Sequence, residues 1–180
     1  LKGLSGDGGN ANRRILTTGD NGFKLVIDAA YCNMHIVNNT TPFPVVAVAD
    51  PTLNTGSQYT LLTGPGAPYT STVSSGITFS SDRMTVPVGG TYELACWVNI
   101  SQFPSNTAKM AMKFRVNGTT VSNMKVSVKS NSNGDYGTLV AFDYITLSAN
   151  DYIQLMIASN TTGNLIIENM NLTMNLIKAA

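Results

Sequence analysis

Charge is scarce in this chain. Of its 180 residues only 12% are Asp, Glu, Lys or Arg, and the formal net charge is +1. Histidine and tryptophan occur once each, as His35 and Trp97, and cysteine twice, as Cys32 and Cys96. Each shortage argues against something. Without a basic arm beyond Arg13 and Arg14, the counterion release that drives nucleic-acid binding is small. A single histidine with two cysteines falls short of a zinc ligand set. A Ser-His-Asp triad would have to use His35, which sits in a strand-like run, and no Gly-x-Ser-x-Gly elbow is present. Two cysteines do not make a disulfide scaffold. Cys96 falls in phase with an apolar set and reads as a buried thiol, although a bridge to Cys32 stays open. No apolar run approaches the roughly 20 residues of a membrane span, and no signal peptide is visible. Leu at position 1 points to proteolytic maturation or a fragment.

What the chain has is a 43% hydrophobic share, enough for a packed core. The remaining surface is covered by Ser, Thr, Asn and Gly more than by charge, as in secreted, virion and fibre-like proteins. The apolar residues alternate. Tyr92, Leu94, Cys96, Val98 and Ile100 are spaced by two, as are Met110, Met112, Phe114 and Val116, and again Ile153, Leu155 and Ile157. That period belongs to β-strands. Asn117-Gly118 between two such runs predicts a hairpin with a type I′ turn. Val121 and the set Met124, Val126, Val128 are out of phase, which predicts a β-bulge near Ser122–Asn123. Residues 80–83 are expected to lie within one bent strand, and Thr138–Leu147, apolar on both faces, reads as a central or interface strand. In all, eight to ten strands with short turns are expected. Residues 1–30 read as an extended N-terminal arm and 31–180 as one all-β domain.

The order of segments then becomes recognisable. Residues 84–94, MTVPVGGTYEL, resemble the strand, Pro-x-x-Gly-x-Tyr, strand entry of the tumour-necrosis-factor and complement globular-head superfamily. Phe114-Arg-Val-Asn-Gly resembles its following hairpin. Residues 144–155 resemble its L-x-x-G-D-x-I-x-L signature, with Asn150 where the glycine stands, a change that left-handed backbone tolerates in Asn. The resemblance covers about residues 40–178, and in flavour it is closest to the versions on tailed-phage virions. It implies a jelly-roll sandwich of about ten strands, assembled as a homotrimer, that binds and bridges without catalysis. Trp97, Phe142, Tyr144, Tyr152 and Met156 are the expected trimer interface.

The expected role is a trimeric decoration (cement) protein on the outer capsid surface of a bacteriophage. Its partner is the major capsid protein of the virion, which the arm contacts through Leu4, Arg13, Arg14, Ile15 and Leu16. The alternatives are a receptor- or glycan-binding tip domain of a tail fibre and a secreted complement-head-like ligand. No catalytic residue, cofactor, metal, nucleic acid or membrane is expected. Scattered carboxylates such as Glu93 and Asp143 read as cross-strand ion-pair partners, and Asp135 as part of a polar hairpin tip. Lys109, Lys113 and Arg115 line one strand face, which Lys125 and Lys129 join across the bulge. This reads as a solvated edge, or alternatively as a patch facing an anionic partner.

Overall fold

The computed structural model describes residues 13–17 and 23–27 as backbone, and residues 30–48, 53, 59–64, 66–71, 73–105, 107–120, 125–130 and 136–180 in full except for the side chain of Thr120. Every regular element among them is a strand. In chain order they are β1 (Arg13–Thr17), β2 (Phe23–Ile27), β3 (Tyr31–Ile36), β4 (Phe43–Val45), β5 (Thr60–Leu61), β6 (Ser74–Ser75), β7 (Thr78–Ser80) and β8 (Arg83–Thr85). Then follow β9 (Gly90–Gln102), β10 (Lys109–Val116), β11 (Thr119–Thr120), β12 (Val126–Lys129), β13 (Gly137–Leu147), β14 (Tyr152–Ser159) and β15 (Gly163–Ala179). The count exceeds ten because the segments between the long strands break into pieces of two or three residues.

Two antiparallel sheets form the sandwich. Sheet I has the order β13-β9-β15-β3-β6, with β4 also pairing β15. Sheet II has the order β11-β10-β14-β8-β7, with β12 on β10 and β5 on β14. The alternating residues of β9 behave as their spacing predicts. Tyr92, Leu94, Cys96, Val98 and Ile100 are buried, as are Met110, Met112 and Phe114 of β10 and Ile153, Leu155 and Ile157 of β14. They form one continuous core between the sheets.

The motif residues have structural reasons. Tyr92 is fully buried and its hydroxyl donates to the Val88 carbonyl at 2.8 Å, closing the turn that feeds β9. A Cβ at Gly90 would lie 2.4 Å from the Lys178 carbonyl oxygen, so only glycine lets β15 approach there. Asn117 and Gly118 both have positive φ, 49° and 83°, and link β10 to β11 as the two-residue turn. Asn150 has φ 70°, the left-handed conformation that its place in the signature requires.

Several expectations are corrected. Residues 78–85 are not one bent strand but a hairpin, with Ser80 paired to Arg83 across Ser81, whose φ is 54°. Of the two readings for β13, central or interface, the first is corrected: among the described strands it pairs only β9 and borders sheet I. Within residues 1–30, β1 pairs β2 in a two-stranded sheet with Ile15 opposite Leu25, and β2 carries the alternation of Phe23, Leu25 and Ile27. The bulge expected at Ser122–Asn123 lies outside the described residues. On either side of it, Arg115 pairs Thr120 but Met112 pairs Val126, so three steps along β10 correspond to six along the partner. A register break occurs inside β15, at Ile167/Asn169. It moves the buried set from Leu165 and Ile167 to Met170, Leu172 and Met174.

Candidate binding surfaces

The outward face of sheet I is a grid set by strand register. One row runs Val140, Trp97, Asn171, His35; the next Phe142, Ala95, Thr173, Asn33; the next Tyr144, Glu93, Asn175, Tyr31. The apolar members gather on the β13 side. Trp97 is 40% exposed, Val140 64%, Phe142 57% and Tyr144 55%. Phe142 and Tyr144 pack edge to face with centroids 5.2 Å apart. The polar half is carried by β15 and β3. Glu93 sits between the two halves, facing the Tyr144 hydroxyl at 3.4 Å and the Asn175 amide at 3.5 Å. At the β13 border, Lys125, Val126 and residues 140–144 line an open groove of about 550 Å³.

Three of the five aromatic and apolar residues expected at one interface, Trp97, Phe142 and Tyr144, are therefore neighbours on this face. Tyr152 and Met156 are not. They lie on the outward face of sheet II, and Met156 is only 5% exposed. It is covered within its own chain: Leu53, Tyr59, Ala111, Met156 and Ala158 form a second, smaller core outside sheet II, flanked by Val48 and Leu61. The Tyr59 hydroxyl donates to the Leu53 carbonyl at 2.7 Å and fixes this cover.

The basic patch is also rearranged. Strand β10 is not an edge where β12 pairs it, with Lys109 opposite Lys129. Lys113 is 3% exposed, its ammonium 5.1 Å from the centroid of the Tyr59 ring. Arg115 is half-buried and donates from Nε to Gln154 Oε1 at 2.8 Å. Lys109 and Lys125 are half-buried and, of the five, only Lys129 is exposed, so they do not form one solvated face. Of the arm residues, Leu4 lies outside the described residues. Arg13, Arg14, Ile15 and Leu16 occupy β1, opposite Ile27, Val26, Leu25 and Lys24.

Among the described residues no three His, Cys, Asp or Glu side chains come together as a metal site. His35 lies half-buried in β3, in register with Asn171. Cys32 and Cys96 are both free and buried, on β3 and β9, with β15 running between them. Two strand spacings separate them by about 10 Å, beyond disulfide reach. Burial pushes the Cys96 thiol far above its ordinary range, so it is no nucleophile. Asp135 lies outside the described residues.

No protein-family model matches the chain, and no curated protein matches it significantly. Solved structures do resemble it. Murine APRIL at pH 5.0 superposes with a TM-score of 0.53 at 12% identity, over 82% of this chain and 99% of that one. The globular domain of zebrafish complement 1qA gives 0.51 at 12% identity, over 84% and 99%. Eiger TNF from S. frugiperda gives 0.53 at 11% identity, over 84% and 95%. The fold is the jelly roll of the tumour-necrosis-factor and complement globular-head type.

Proposed function

We propose that this chain is a non-catalytic binding module that assembles as a homotrimer through the outward face of sheet I. The observation that carries this reading is the stripe of Trp97, Val140, Phe142 and Tyr144, exposed on an otherwise charge-poor sheet. Contiguous exposed aromatics mark association surfaces, and aromatic residues dominate interface energetics. A three-fold ring is closed by heterologous contacts, so this face meets a different surface of the next copy.

Within that class we propose the decoration of a virion shell, with the capsid surface as partner. Two features support it: the abundance of Ser, Thr and Asn, and the β1–β2 hairpin, which forms a two-stranded sheet of its own and would serve as the attachment element. An isolated two-stranded hairpin is marginally stable in water and gains from docking. Deletion of residues 1–30 tests the assignment. The shortened protein is expected to remain a trimer and to lose binding to capsids. Undiminished capsid binding would remove the hairpin from the role, and no capsid binding by the intact chain would remove the role itself.

A further inference from the structure

The outward face of sheet II carries a second arrangement, independent of the trimer reading. Strands β8, β14 and β10 place Arg83, Gln154 and Arg115 in one register row. Gln154 is 1% exposed, and both ends of its amide are committed. Its Nε2 donates to Asp82 Oδ2 at 2.8 Å, and its Oε1 accepts from Arg115 Nε at 2.8 Å. Asp82 is itself buried, and its Oδ1 lies 3.6 Å from Arg83 Nε. The Arg83 guanidinium stacks over the Tyr152 ring, 4.7 Å from its centroid.

This leaves two guanidinium groups anchored by their Nε ends. Each carries five N–H donors, of which four belong to the terminal fork. Among the described residues no acceptor engages either fork. Arg115 is half-buried, so it has given up part of its hydration without a fork partner. Two positive charges face one negative charge, and that carboxylate is turned inward to Gln154 and Arg83 Nε.

We infer that Arg83 and Arg115 form a seat for the oxyanion of an acidic saccharide, a carboxylate or a sulfate held by the two forks. The Cα atoms of the flanking strands lie about 10 Å apart, a span that two long side chains close around one charged group of a sugar ring. Guanidinium forks favour planar or tetrahedral oxyanions through paired hydrogen bonds. A peptide fits less well, because β14 is paired on both sides here and offers no main-chain edge for strand addition.

The test is calorimetric titration of the intact protein with sialyllactose, with a sulfated lactose and with lactose. Saturable binding of an acidic sugar and none of lactose is expected, and the acidic arm that binds identifies the group. Arg83→Gln and Arg115→Gln should each weaken it at least tenfold, while Lys129→Gln, on an exposed lysine of β12, should not. Arg83→Lys keeps a cation beside the buried Asp82 but loses the fork, so its loss of sugar binding decides the matter even if either glutamine variant disturbs folding. Absence of binding by both acidic sugars, equal binding of lactose, or an equal loss in Lys129→Gln would overturn the assignment.

Discussion

Asn117 and Asp151 lock two turns of the sandwich to each other. The Asn117 amide donates from Nδ2 to Asp151 Oδ1 at 2.5 Å, and its Oδ1 accepts from the Tyr152 N–H at 3.0 Å. The second carboxylate oxygen accepts from the Ser148 N–H at 2.7 Å. The β10–β11 turn is thereby tied to the β13–β14 turn, and the acidic residue of the C-terminal signature has a structural task.

These hydrogen bonds, the Asn117 amide first, hold the Asp151 carboxyl below its ordinary range. The unfolded chain therefore takes up this proton first as pH falls. The stabilisation is complete above the ordinary Asp value of about 4 and is lost as pH drops through the lower folded value. Asp151→Ala is expected to cost about 1 kcal/mol at pH 7, limited by solvent screening, and progressively less as the pH is lowered below the ordinary Asp value. Urea midpoints across that pH range measure the difference.

Tyr69 presents the opposite case. Its hydroxyl is buried without a hydrogen-bond partner among the described residues. Burial, reinforced by Cys96 and Asp82, pushes its ionisation well above the ordinary phenol range. Removing an unpaired buried hydroxyl relieves a desolvation cost. Tyr69→Phe should leave the fold intact and raise stability by up to about 1 kcal/mol, seen as a higher urea midpoint with unchanged slope.

The two cysteines are expected to behave as inert core residues. Native protein should react with neither equivalent of a thiol reagent until it unfolds, then with both. Its thermal midpoint should be the same with and without reductant. A midpoint lowered by reductant would indicate a bridge that the placement of Cys32 and Cys96 on either side of β15 forbids.

The long strands were legible in the sequence because each of their residues reports its own face. Tyr92 and Trp97 could be assigned to opposite sides of β9 from spacing alone, and Asn117-Gly118 declared its turn. Met156 and Lys113 could not be assigned correctly. Their phase places them on the outward face of sheet II, but their burial depends on the distant cover of Leu53 and Tyr59, which no local pattern announces. The Arg83–Gln154–Arg115 row was hidden for the same reason: register between three strands far apart in sequence creates it. The Ser81-Asp82 turn lacks the usual Gly or Asn and so passed for strand. The register break in β15 was readable in principle, since Ile167 and Met170 are out of phase by the argument applied to Val121 and Met124.

Met156 and Trp97 therefore separate folding from assembly. Met156→Ala opens a cavity in the second core and should cost about 2–4 kcal/mol of monomer stability without changing subunit affinity. Trp97→Ala should leave the folded subunit intact and weaken association by about 2 kcal/mol, roughly thirtyfold per interface. Chemical denaturation and dilution-dependent sedimentation read the two quantities separately.

The most direct measurement is the sedimentation-equilibrium mass of the purified chain at tens of micromolar, alongside Phe142→Glu. The parent protein is expected at three times the single-chain mass of 19.1 kDa, and the variant, with a carboxylate forced into the aromatic stripe, at the single-chain mass with an unchanged circular-dichroism spectrum. A parent protein that sediments as a single chain at that concentration, or a Phe142→Glu variant that stays trimeric, would contradict assembly through the outward face of sheet I.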